Sequence, residues 1–267
     1  MYLTRGLRIG LRIATGVILA AVYVPLLVVM INSFNADPTF GWPPSGFTLT
    51  WWSRAAHNAG ALAALRTSVV VGLLATVIAL VLGTLAALSL QRYRFFGRDA
   101  VSLLVILPIA LPGIVTGIAL NNAFRTVLGV PLSVATLVVA HATFCIVVVF
   151  NNVIARLRRL GGDLEEASMD LGADSFTTFW RITFPLLRTA LLAGGLLAFA
   201  LSFDEIIVTR FTAGQATTTL PIWILDNLFR PNQAPVVNVV ATVLVIASII
   251  PIAIAQRLSG DPSGGRV

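Results

Sequence analysis

The chain has 267 residues, of which 57% are hydrophobic and 11% charged, against roughly 25% charged in an ordinary soluble domain, which excludes a soluble globular protein. All 18 basic residues are Arg, so neither a Walker-A phosphate loop nor a Schiff-base lysine can be built. The formal charge of +7 is scattered between long apolar runs rather than gathered on one basic face, which argues against nucleic acid and for arginines that flank membrane spans.

A helix needs about 20 predominantly apolar residues to cross the hydrocarbon core. Six such windows are predicted, over about 13–31, 67–90, 101–120, 132–150, 186–208 and 236–255. Their continuous apolar character, without period-2 alternation, excludes a barrel. The expected fold class is therefore an all-α integral membrane protein of six transmembrane helices, forming one domain over 1–267. With the N-terminus inside, the cytoplasmic side collects 13 arginines (Arg5, Arg8, Arg12, Arg92, Arg94, Arg98, Arg156, Arg158, Arg159, Arg181, Arg188, Arg257 and Arg266) and the other side keeps 5. That bias predicts both termini in the cytoplasm. The N-terminal stretch is read as a full span and not a secretory signal, because it has full length and no clear small-residue cleavage site follows.

After the first window, residues 32–66 form a long external loop with Trp42, Trp51 and Trp52. Indole rings suit the water–lipid interface, so these residues read as interfacial anchors, and Trp52 is carried as a candidate contact for a transported solute. The third window contains LPIALPGIVTG, with Pro108, Pro112, Gly113 and Gly117. Each Pro removes a backbone hydrogen bond, which predicts a kink or break that either lines a translocation path or simply bends the helix for packing. Asn121, just beyond it, is a candidate for the outer mouth. In the fourth window Cys145 reads as a small core residue, and His141 is expected to bond another helix. Paired-Cys metal motifs and the HExxH pattern are absent from the sequence.

Between the fourth and fifth windows, residues 155–185 hold five of the 11 acidic residues: Asp163, Glu165, Glu166, Asp170 and Asp174. Read as helix, Leu164, Ala167, Ser168 and Leu171 form a small apolar face. Gly172 can end this helix in a left-handed cap, and Asp174 or Ser175 can start a second short one. Phe176, Phe179 and Trp180 then fall at i, i+3 and i+4, and Pro185 sits in the first turn of the fifth span. Two short helices at an angle with an aromatic knob describe either a docking element or an amphipathic helix on the bilayer.

A resemblance decides between the two. Glu166-Ala167-Ser168, three residues, Gly172, nine residues, Ile182, Thr183, Phe184, Pro185 resembles the EAA loop of permease subunits of ATP-binding-cassette importers, with Ser168 for the second Ala and Phe184 for Leu. The resemblance implies a non-catalytic permease domain of the type I importer kind in a bacterial cytoplasmic (inner) membrane, in contact with lipid. It implies that 155–185 is a coupling loop, and that ATP and Mg2+ are held by two partner ATPase subunits and not by this chain. It also implies a second permease subunit and an extracytoplasmic solute-binding protein. The stretches LSFDEIIVTRFTAG, TTTLPIWI, LPIALPGIVTGIAL and GWPPSGFTLTWW are similar to the second permease of spermidine/putrescine importers. Iron, thiamine, phosphonate and amino-acid-like solutes remain alternatives, because relatives share the framework.

In the fifth window Asp204 and Glu205 interrupt an apolar run. An Asp at a helix centre costs roughly 2.5–3.5 kcal/mol on insertion scales, and less toward the interface. Counting from Leu186 places Ser202 to Glu205 about 24–29 Å from the cytoplasmic end. A carboxylate pair there suits a cationic amine arriving from outside, with Ser202 as a hydrogen-bond partner; an internal pairing with Arg210 is the alternative. A different class, a secondary transporter using Asp204 or Glu205 as a proton site, would work without any ATPase.

Overall fold

The computed structural model describes residues 4–38, 42–93, 95–230 and 232–259, with only the backbone at 250–252 and 254–259. Gly41, Arg94 and Arg266, and the side chain of Arg257, lie outside the described residues. Among the described residues the protein is all-α: α1 (Arg5–Asn32), α2 (Thr50–Ala56), α3 (Ala59–Arg92), α4 (Arg98–Ala110), α5 (Gly113–Asn122), α6 (Val134–Leu160), α7 (Asp163–Asp170), α8 (Ser175–Thr178), α9 (Phe184–Phe203), α10 (Ile207–Thr212), α11 (Leu220–Asn227) and α12 (Ala234–Ser259). Single π-helical turns continue α5 over Ala123–Val127 and join α8 to α9 over Phe179–Thr183.

The expectation of six membrane-spanning helices is corrected by this architecture. Among the described residues four helices are long and apolar enough to cross: Arg5–Asn32, Ala59–Arg92, Val134–Leu160 and Ser175–Phe203. A fifth exists only if the pair Arg98–Ala110 and Gly113–Val127, bent by 106°, counts as one broken span. The cause of that bend is in the residues. Pro112 stands at the N-cap of α5, and the chain turns extended at Leu111, where a following proline disfavours helix. Over the sixth window α12 runs Ala234–Ser259; the apolar stretch described there with side chains, Ala234–Ile249, is not counted among the crossing helices.

The chain divides into two compact units. One comprises the residues up to 62 and residues 224–250. Its α1 carries outward-facing Ile13, Val17, Ile18 and Val22, as suits a helix that meets lipid or another apolar surface. Beyond α1 the chain folds back on itself. The Trp51 indole N–H donates to the Asn35 carbonyl at 2.8 Å, and Phe34 stacks on Trp52 at 5.1 Å between ring centroids.

The second unit comprises residues 63–223 and those from 251, and it holds the core. Here α6 packs against α9, and Phe144, Cys145, Val149, Phe150, Val153 and Leu157 of α6 are buried with Leu187 and Ala198 of α9. Small Ala79 and Ala87 of α3 join the same cluster, as expected where helices approach closely in an apolar medium. The α5 helix packs on α10. This requires Gly117, because a Cβ there would lie 2.7 Å from the Phe211 ring.

Candidate functional site

Two constellations in the second unit gather the residues singled out from sequence. The first is the polar segment between α6 and α9. Gly161 ends α6 at φ 67°, and α7 opens with Asp163, Glu165 and Glu166 in its first turn, where carboxylates face the positive end of the helix dipole. Gly172 closes α7 at φ 87°. The Ala173 N–H donates to the Ser168 carbonyl at 3.1 Å and the Gly172 N–H to Met169 at 2.9 Å, which is a complete Schellman cap. Asp174 then caps α8, accepting from the Thr177 N–H at 2.8 Å. Hydrogen bonding from the Thr177 hydroxyl first, and from its backbone N–H second, holds the carboxyl below its ordinary value.

The apolar face of α7 is not covered within its own unit. Leu164 is exposed, Ala167 is exposed and Leu171 is 90% exposed; only Ser168 turns inward, to the Thr178 hydroxyl at 3.0 Å. Phe176, Phe179, Trp180 and Phe184 form one aromatic cluster, with Trp180 edge-on to Phe176 and, at 5.4 Å, to Phe179, and tilted against Phe184 at 5.0 Å. Phe176 and Trp180 remain exposed. Ile182 is half-buried, and Glu166 faces solvent beside a cavity of about 380 Å³ that Arg92, Glu165 and Met169 also line.

One expected detail differs. The second short helix does not stand apart from the fifth span: Ser175–Phe203 runs as one apolar helix through the π turn. Pro185 explains the turn. It lacks an N–H and its ring would press on the carbonyl one turn back, and a π bulge just before it relieves both.

Sequence reasoning did not connect the cluster beneath α7. Arg92, the last residue of α3, pairs with Glu165 at 2.8 Å and reaches Thr183 at 3.4 Å. The buried Thr183 hydroxyl donates to the other Glu165 oxygen at 2.5 Å. Glu165 and Thr183 adjoin Glu166 and Ile182 of the spaced motif, and that adjacency was the available signal. Nothing local pointed to Arg92.

The second constellation is the interruption after α9. The fifth window does not continue as helix to 208: α9 ends at Phe203, Asp204 is its C-cap and α10 restarts at Ile207. Glu205 lies between the two helices, and its carboxylate accepts the Val208 N–H at 2.9 Å, so it caps α10 instead of projecting from a continuous helix. Asp204 is exposed and Glu205 half-buried. Ser202 is buried and meets His141 Nδ1 at 2.7 Å, while His141 Nε2 meets the Thr209 hydroxyl at 2.9 Å. Asn121 donates to the Phe211 carbonyl at 2.5 Å and so ties α5 to α10. Both breaks, at 111–112 and 204–206, thus lead into short helices that pack on each other. Trp52 belongs to the other unit; its ring rests on Phe34, and its indole N–H is buried without a hydrogen-bond partner among the described residues. Also among the described residues, no group of three or more His, Cys, Asp or Glu could hold a metal ion.

Long apolar helices, two interrupted helices that pack on each other and a polar segment with an uncovered apolar face define a membrane transport subunit. Residues 79–260 match the family described as binding-protein-dependent transport system inner membrane component, and the chain belongs to that family. It is a permease of the ATP-binding-cassette importer class, a multi-pass inner-membrane protein with a transport role and not an enzymatic one. The spermidine/putrescine transport system permease protein PotC of Escherichia coli K12 is 34% identical over 248 residues, covering 93% of each chain. The putrescine transport system permease protein PotI of the same strain is 33% identical over 229 residues, covering 83% of this chain and 80% of that one. A putative 2-aminoethylphosphonate transport system permease protein of Salmonella typhimurium LT2 is 31% identical, covering 84% and 86%. Among solved structures, a bacterial ABC transporter involved in the import of the acidic polysaccharide alginate superposes with a TM-score of 0.74 at 15% identity, covering 96% of this chain and 99% of that one. That likeness is one of fold.

Proposed function

We propose that this chain forms, with a second permease subunit, the translocation path for polyamines of the spermidine and putrescine kind. An extracytoplasmic solute-binding protein delivers the amine. Two ATPase subunits, which hold ATP and Mg2+, drive the cycle, and the segment 155–185 is the contact through which their closure reaches the membrane. The observation that carries the coupling role is the uncovered face of α7 together with the exposed Phe176–Trp180 edge, on a segment whose polar groups are capped internally. An amphipathic helix lying on lipid would fit such a face less well, because α7 brings Asp163, Glu165, Glu166 and Asp170 to within eight residues and anionic surfaces repel such a helix.

The polyamine assignment is supported by the substrates that its relatives PotC and PotI are named for and by Asp204 and Glu205 at the break. Carboxylates there can pair with ammonium groups, whereas a phosphonate would call for cationic groups. Calorimetric titration of the cognate binding protein with spermidine, putrescine, 2-aminoethylphosphonate, thiamine and ferric iron tests it. Binding of the two amines is expected; a receptor that takes only the phosphonate would replace the proposed substrate.

A further inference from the structure

We infer that His141 is a positioning residue for the break in the fifth span: by holding Ser202 on one side and Thr209 on the other, it fixes where Asp204 and Glu205 stand. The inference rests on the reading that this break lines the path. His141 lies in α6 with 0% exposure, and its two nitrogens reach two different helices, α9 through Ser202 at 2.7 Å and α10 through Thr209 at 2.9 Å.

The surrounding bonds set the direction of each proton. The Thr209 hydroxyl donates its one hydrogen to the Glu205 carbonyl at 2.7 Å, so toward His141 it can only accept. Nε2 therefore carries the hydrogen, Nδ1 of the neutral ring is an acceptor, and the Ser202 hydroxyl donates to it. One directed chain results, from Ser202 through His141 and Thr209 to the backbone of Glu205. It closes across the three residues between α9 and α10, where Asp204 makes the last bond of one helix, to the Ala200 carbonyl at 3.2 Å, and Ile206 accepts the first of the next, from Arg210 at 3.0 Å. A rigid ring with a donor and an acceptor on separated edges suits this bridge, and Phe144 packs against it at 5.4 Å between centroids. Without the ring, two buried hydroxyls lose partners and the interruption loses its only described tie to α6 through side chains of Ser202 and Thr209.

The test uses the complete importer in proteoliposomes, with spermidine uptake and ATP hydrolysis measured together for the same amount of assembled complex. His141→Phe keeps a ring and removes both nitrogens. It is expected to lower the spermidine moved per ATP hydrolysed by about tenfold, and His141→Gln, which can still donate toward Thr209, should recover part of the loss. Ser202→Ala and Thr209→Val should lower the same ratio, and adding either to His141→Phe should lower it little further, because all three act through one network. A merely structural role would reduce uptake and hydrolysis in proportion; an unchanged ratio overturns the inference. If His141→Phe does not assemble, Ser202→Ala and Thr209→Val decide the matter by the same ratio. The two readings separate on Asp204→Asn with Glu205→Gln. If that pair lowers the ratio and the network variants do not, the positioning role falls and the path stands. If the network variants lower it and the carboxylate pair does not, the path falls, and with it the purpose assigned to His141.

Discussion

The segment 161–185 and the break at 204–206 differ in how far their polar partners lie along the chain. In the first, the backbone and cap bonds are short in sequence, Ala173 to Ser168, Gly172 to Met169 and Thr177 to Asp174, and Arg92 reaches Glu165 from afar. With its backbone groups met locally, that segment can leave Leu164, Leu171 and Phe176 uncovered. At the break the bonds run across the fold, from His141 to residues 61 and 68 positions away. The proposed contact surface holds its backbone shape locally, whereas the interruption adds partners from another helix to local bonds such as Glu205 with Val208.

The largest effect should come from attacking the local side of this contrast. Proline cannot take φ 87° and has no N–H for the Met169 carbonyl, so Gly172→Pro should cost the segment about 3 kcal/mol or more. Pull-down of the ATPase and uptake are then expected to fail, with Gly172→Asn far milder because Asn tolerates left-handed geometry. Full activity of the proline variant would remove the coupling role. Next comes the other side: Asp204→Asn with Glu205→Gln should reduce cation uptake about tenfold or more, on the usual worth of charge-assisted bonds, while ATPase binding persists. Equal loss of ATPase binding in that variant would erase the distinction between the two regions.

Smaller again is Glu165→Gln. The pair with Arg92 is only half-buried, with side-chain exposures of 31% and 20%, so roughly 1 kcal/mol or less is expected from the ion pair itself. Thermal unfolding in detergent against the wild type measures it. The smallest effect lies at Asp174. Its carboxyl is held below the ordinary value by Thr177, so its contribution is fully present above the unfolded-state pKa of about 3.9 and fades as pH falls through the lower folded value. Hydrogen exchange at Ser175–Thr178, compared with Asp174→Asn at each pH, should show this dependence in the wild type alone.

The same contrast decides what could be read from the chain. The motif spacing, the left-handed cap at Gly172 and the cap at Asp174 depend on neighbours within a few residues, and the sequence reading names them. The break after Phe203 was not legible, because Ser202–Glu205 sits inside an apolar run and its interruption depends on His141 in another helix and on Glu205 turning back to Val208. Counting spans failed for a related reason. Hydropathy reads LPIALPGIVTG as one window; its prolines name a kink or break, but the turn of 106° at Leu111 and Pro112 is set by the fold. Arg92 looked like an orienting charge until the fold brought it to Glu165 and Thr183.

The coupling role proposed for 161–185 requires an ATPase on another chain to drive this permease. It is tested most directly by spermidine uptake into proteoliposomes containing the two permeases, supplied with the binding protein, with and without the ATPase subunits. Uptake that requires both ATP and the ATPase, and that Gly172→Pro abolishes, is the predicted result. Uptake by the permeases alone, driven by a proton gradient and indifferent to that substitution, would contradict it.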